Sequence, residues 1–255
     1  MACRFENCVK LRFYQKVFLG RDFAPPRACY MSLHGEDGQE PQGESYTRQL
    51  VKFEPEDPVT VKSTNEVRFS PRIVGEDWGR IAGVGIRFTK DIGERSCTCV
   101  TSPVGRPRLI QAGDTLLWEV GCMKSGTTMT SKYLTGLWTN FAFRGIDFAP
   151  PDQFYLGLLS ARPNKSGYLE QAGVERKPVT FTFGKGARSI HNVERIEWTT
   201  PGGSSWDVVA VGVFDAKDAL DEGSHLITHM NLPFGGKVAE PGDNIEVAPG
   251  AFSIG

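Results

Sequence analysis

Few residues in this chain have the type and spacing to do chemistry, and each has a plainer structural alternative. His225 and His229 are four apart, a spacing that binds a metal from one helix face. Here they flank Leu226-Ile227-Thr228, which reads as a strand, so two polar residues on a surface strand are expected instead. Cys97 and Cys99 alternate onto one strand face, and with Cys3 and Cys8 would make a badly spaced four-thiol zinc site; buried inert thiols fit better. Gly184-Lys185-Gly186 and Ser125-Gly126-Thr127-Thr128 lack the spacing that wraps a phosphate, and no nucleophile elbow occurs. Gly83-Val84-Gly85 has no helix after it and reads as a bulge or a close backbone approach. Asp22, Asp147, Asp114 and Asp243 could serve as the carboxylates of a glycosidase, but each sits in a turn context that explains it. The residues therefore point away from an enzyme, and no catalytic residue, cofactor or metal is expected.

Positioning elements repeat. Gly20-Arg21-Asp22-Phe23-Ala24-Pro25-Pro26 returns as Gly145-Ile146-Asp147-Phe148-Ala149-Pro150-Pro151, followed at the same offset by Tyr30 and Tyr155. Arg48, Val51 and Phe53 then match Arg176, Val179 and Phe181. Trp78 matches Trp206, the Gly113-Asp114 turn matches Gly242-Asp243, and Asn65 is set against Asn192. A Ser/Thr-rich stretch from Lys124 to Ser131 lies between the copies, so the boundary is placed at 125/126, with repeats 1–125 and 126–255. The repeat-shared positions are Asp22, Phe23, Pro25, Pro26, Tyr30, Arg48 and Trp78, and Asp147, Phe148, Pro150, Pro151, Tyr155, Arg176 and Trp206. Arg48 and Arg176 admit two readings, a structural ion pair whose stem covers apolar surface, or a contact to a partner protein.

Within each copy an opening segment of helical spacing (Leu134, Leu137, Trp138, Phe141; less regularly Phe13, Val17, Phe18) precedes short runs of period two. The runs are rich in Val, Phe and Thr and are separated by Gly, Pro and Asp turns, which predicts antiparallel strands. The expected fold is all-β: two tandem jelly-roll-like β-sandwich domains, each preceded by a short helix-like segment.

Composition sets the outer limits. The 255 residues carry 29 Lys+Arg and 30 Asp+Glu, a net charge of −1 that gives no support for a nucleic-acid partner. No apolar run is long enough to span a membrane, and the opening residues do not read as a signal peptide. All six cysteines precede residue 123, so the second copy folds without any, and reduced thiols are expected.

The order of motifs (helical opening, aromatic-x-Pro-Pro turn, Tyr-x2-Leu strand, Tyr46-Thr47-Arg48-Gln49-Leu50-Val51-Lys52-Phe53, then Asn65, Trp78 and a late Gly-Asp turn) resembles a module of tailed-bacteriophage virion proteins often labelled tail fibre or virion structural protein, here in two copies. The resemblance implies a non-enzymatic virion component. The first expectation is a capsid decoration or cement protein; the alternative is a tail-associated fibre, collar or receptor-binding module. Either implies assembly in the host bacterial cytoplasm, location on the virion, and homo-oligomeric contact with other virion proteins such as the major capsid protein or tail components. No nucleic acid or membrane is expected as a partner.

Overall fold

The computed structural model describes residues 7–92, 98–125, 131–164, 167–183, 189–218 and 223–254. In chain order, the first half comprises α1 (Asn7–Leu19), β1 (Cys29–Gly35), β2 (Gln49–Val51), β3 (Phe53–Pro55), β4 (Val61–Ser63), β5 (Val67–Phe69), β6 (Asp77–Arg87), β7 (Thr98–Gln111), β8 (Leu116–Trp118) and β9 (Lys124–Ser125). The second half comprises α2 (Lys132–Arg144), β10 (Phe154–Asn164), β11 (Gly167–Glu170), β12 (Lys177–Val179), β13 (Phe181–Phe183), β14 (Ile190–Asn192) and β15 (Ile196–Thr199). It ends with β16 (Trp206–Val208), β17 (Ala210–Phe214), β18 (Leu226–Asn231), β19 (Lys237–Ala239), β20 (Asn244–Val247) and β21 (Ser253–Ile254). The fold is all-β, with one α-helix ahead of each set of strands.

Among the described residues every strand pair is antiparallel, and the two halves pair in the same way. The order β2-β1-β6-β7 corresponds to β12-β10-β17-β18, with β11 added beside β10. Val67 faces Trp118 and Phe69 faces Leu116 across β5 and β8, as Ile196 faces Val247 and Trp198 faces Ile245 across β15 and β20. The period-two pattern explains which faces turn inward. Val67 and Phe69 are buried around exposed Arg68, and Ile196 and Trp198 around exposed Glu197. By contrast, all five residues of β17 are buried, as suits a central strand covered on both faces.

These registers correct one equivalence expected from sequence. Asn65 corresponds to Glu194, not to Asn192: the Asn65 side chain accepts the N–H of Lys52 at 2.7 Å, and Glu194 accepts that of Thr180 at 2.9 Å. Asn192 instead stands where Ser63 does, and the carbonyls of these two residues accept the N–H groups of Gly250 and Gly121, each at 2.9 Å. An acceptor at a strand crossing can be an amide or a carboxylate, so side-chain identity misaligned the copies while the backbone did not.

Two compact units emerge, and neither is a continuous stretch. One gathers Met1–Arg12, Ala24–Thr127 and Trp138–Phe148; the other gathers Phe13–Phe23, Thr128–Leu137 and Ala149–Gly255. Most of α1 therefore belongs with the second set of strands, and the C-terminal part of α2 with the first. In the second unit Phe18, 5% exposed, packs its ring 5.2 Å from Phe154 and 5.3 Å from Phe181. In the first unit Phe143, 6% exposed, lies 5.2 Å from Phe53, and the Cys29 thiol points at the carbonyls of Ala142 and Phe143, at 3.5 and 3.8 Å. Of the other buried apolar helix residues, Phe13, Tyr14, Val17 and, from the start of α2, Leu134 lie in the second unit, and Trp138, Phe141 and Ala142 in the first.

Candidate functional site: a repeated turn and a repeated arginine clamp

The repeat-shared residues collect at two places in each unit. The first is the stop of the opening helix. Gly20 and Gly145 adopt left-handed φ values of 60° and 65°, open to glycine without a Cβ penalty. The next N–H bends back to the helix: Arg21 N–H donates to Gln15 O at 3.3 Å, and Ile146 N–H to Asn140 O at 3.1 Å. In both copies this bond reaches back six residues, past the left-handed glycine, and folds the chain onto the helix end.

Beyond it the two Pro-Pro pairs hold an extended course that no helix can enter, because each ring fixes φ and removes a donor. All four prolines, Pro25, Pro26, Pro150 and Pro151, are half-buried. Asp22 is exposed and pairs with Lys16 at 3.7 Å, while the carboxylate of Asp147 accepts the N–H of Phe148 at 2.9 Å. Phe23 and Phe148 are half-buried, and the Phe148 ring meets Phe141 edge-on at 5.8 Å. Asp114 and Asp243 have matching tasks, accepting the N–H of Gln111 at 3.0 Å and of Glu240 at 3.1 Å across their turns. These four carboxylates sit in separate turns.

The second place is the arginine. The Arg48 side chain is 3% exposed and forks onto Glu40, Nε to Oε2 at 3.0 Å and Nη2 to Oε1 at 2.8 Å. Its Nη1 donates to the carbonyls of Thr89 and Asp91, at 3.0 and 2.8 Å. Arg176 repeats this atom for atom: Nε to Glu170 Oε2 at 2.9 Å and Nη2 to Oε1 at 2.6 Å, with Nη1 on Ala216 O at 2.8 Å and Ser224 Oγ at 2.7 Å. A planar guanidinium meets a carboxylate with two parallel bonds and still has an arm for a carbonyl, which lysine cannot do. Each clamp fastens the backbone that leaves the central strand, at Thr89 to Asp91 and at Ala216, to the neighbouring edge of its sheet.

Tyr30 and Tyr155, on β1 and β10, are half-buried beside this edge, opposite Leu50 and Pro178. Trp78 is buried and lies edge-on to Tyr46 at 5.4 Å; the Tyr46 hydroxyl donates to Glu40 at 3.2 Å. Trp206 is buried at the start of β16. Glu40 and Glu170 escaped the sequence reading because they come from unlike segments, a loop after β1 and the end of β11. The retained arginines were the available signal, since a buried guanidinium requires a carboxylate.

Around the clamps the two interiors differ. In the first unit Arg87 Nε adds a second cation, 3.4 Å from Glu40. Ser32 Oγ lies 2.9 Å from His34 Nε2, whose other nitrogen lies 3.2 Å from Gly38 O. Burial lowers the His34 pKa below its ordinary value. In the second unit the corresponding strands place Gly157, Leu159 and Phe214, and an apolar cluster of Leu159, Ala210, Phe214 and Leu226 forms. Gly85 does mark a close approach, because a Cβ there would lie 2.6 Å from His34 Nε2.

His225 and His229 have different surroundings. His225 Nδ1 pairs with Asp215 Oδ2 at 2.8 Å, and its ring stacks on Tyr133 at 3.7 Å, whereas burial lowers the pKa of His229. Among the described residues, no group of three or more His, Cys, Asp and Glu side chains could hold a metal ion, and no helix is long and apolar enough to cross a membrane. Cys3, Cys97 and Gly184-Lys185-Gly186 lie outside the described residues, as does most of the Ser/Thr-rich stretch between the copies.

Residues 129–255 match the family model described as podophage GP4 fiber I protein gp80. The second half of the chain is thus similar to a phage fibre protein, and the match spans one copy of the repeat. No curated protein matches the chain.

Proposed function

We propose that this protein is a non-enzymatic, tail-associated structural component of a tailed-phage virion, carrying two tandem copies of one fibre module. The observation that carries the reading is the arginine clamp. Residues 129–255 resemble a fibre protein, and the first half reproduces their clamp with the same guanidinium atoms on a carboxylate and on carbonyls. The two halves thus share a buried, saturated scaffold, and a scaffold of that kind presents edges and loops to other proteins. The fibre resemblance favours the tail over the shell decoration that the sequence first suggested. Its partners on this reading are neighbouring tail proteins and further copies of itself, joined during assembly in the host cytoplasm.

Labelling the protein on intact virions and imaging them by electron microscopy tests this. Label confined to the tail, at a copy number set by tail symmetry, is expected. Label spread over the shell would overturn the reading in favour of capsid decoration, and absence from the particle would overturn both.

A further inference from the structure

The C-terminal part of each opening helix packs on the strands of the other copy, and the pattern is reciprocal. Phe18 and Phe143 occupy the same place in the repeat, two residues before Gly20 and Gly145. Phe18, from the first copy, packs on Phe154 and Phe181. Phe143, from the second copy, packs its ring on Phe53, and its carbonyl and that of Ala142 meet the Cys29 thiol; Phe53 and Cys29 stand in the first copy where Phe181 and Phe154 stand in the second.

The most faithfully repeated segment of the chain, Gly-x-Asp-Phe-Ala-Pro-Pro, is the hinge that permits this. The left-handed glycine stops the helix, and the two prolines stiffen the exit, so that the last turns of the helix lie against the other copy's strands rather than those that follow it. A rigid extended hinge of this kind favours exchange of an element between identical folds over return to its own.

We infer that the two copies form an obligate exchanged pair: the apolar groove of each copy is a docking site for the C-terminal part of the other copy's opening helix, and the peptide between the copies is not what holds them together. The Phe154–Phe181 groove takes the α1 segment through Phe18, with Arg21 over the Phe183 ring at 5.1 Å as a second contact. The Cys29–Phe53 groove takes the α2 segment through Phe143, and Thr139 Oγ1 reaches Val59 O at 3.4 Å. The partner that fits either groove is therefore a second copy of this module. The inference is independent of where on a particle the protein sits.

Two experiments on the full chain test it together. In the first, a protease site is inserted between Gly126 and Thr127 and the folded protein is cut. The halves are expected to stay together as one species on gel filtration and to part only in denaturant. In the second, Cys29 labelling by iodoacetamide is followed by peptide mass spectrometry in Phe143→Leu and Phe18→Leu proteins, mild changes chosen to keep both folded. Phe143→Leu is expected to speed labelling of Cys29 at least tenfold, with Phe18→Leu leaving it near the parent rate. Hydrogen exchange gives the reciprocal reading, with Phe18→Leu loosening residues 154–159 and 181–183 rather than 29–33. Separation of the cut halves, or faster Cys29 labelling in Phe18→Leu than in Phe143→Leu, would overturn the inference.

Discussion

The guanidinium of Arg176 lies 3.7 Å above the centre of the Phe214 ring, at the sheet position where the first unit places Arg87 beside Glu40. One scaffold is thus balanced in two ways, by an aromatic face under one cation and by a second cation beside the same carboxylate. That difference makes the two clamps unequal when broken.

Replacing Arg176 with Ala removes the cation from Glu170, whose side chain is 20% exposed, so the loss is expected to fall below the about 3–5 kcal/mol of a fully buried pair. Arg48→Ala is expected to cost less, because Arg87 remains 3.4 Å from Glu40. Arg176→Lys should recover only part of the loss, since lysine cannot make the paired bonds. Urea unfolding of the three variants checks the order, and equal losses for the two alanine variants would refute it.

Acid should weaken the first unit through His34. Burial holds its folded-state pKa below the ordinary 6.5. Below pH 6.5 the unfolded chain therefore takes up a proton that the folded chain resists. The stability contributed by the neutral ring is full above that pH and drains away as pH falls towards the folded-state value. His34→Leu, which installs the residue the second unit carries at Leu159, should flatten the dependence of Tm on pH below about 6.5. An unchanged slope would show that His34 is not responsible. His229 has the same direction of shift and accounts for a residual slope.

Gly20→Ala and Gly145→Ala should each cost about 1–2 kcal/mol, because an L side chain is strained at their left-handed φ values. The second should cost more, as its Cβ would lie 3.0 Å from Pro26 O. Gly202→Ala is the control: its φ is unexceptional and a Cβ there meets nothing within 4 Å. Thermal denaturation of the three proteins would settle the ranking.

Cys29 should be inert in the folded protein. Its buried thiol is pushed up to about 12, so almost no thiolate is present at neutral pH. Iodoacetamide at pH 8 should modify exposed Cys122 readily and Cys29 only once the protein is unfolded. Comparable rates at both sites in native buffer would contradict this burial.

The amino-acid sequence by itself determined the all-β class, because period-two runs bounded by turn residues allow little else. It also marked the helix stop at Gly-x-Asp-Phe-Ala-Pro-Pro, where a glycine and two prolines dictate local geometry without help from distant residues. Retention of Arg48 and Arg176 signalled a shared site, although the glutamates they grip were hidden in segments of unlike structure. Only the tertiary structure decided that Asn65 answers to Glu194, since amide and carboxylate serve the same N–H equally well. It alone decided that one interior is polar around His34 and the other apolar around Phe214. And it alone assigned Phe18 to Phe154 and Phe143 to Phe53. An apolar stripe says that a helix face must be buried, but the hydrophobic effect has no direction, and the stripe does not say which set of strands receives it.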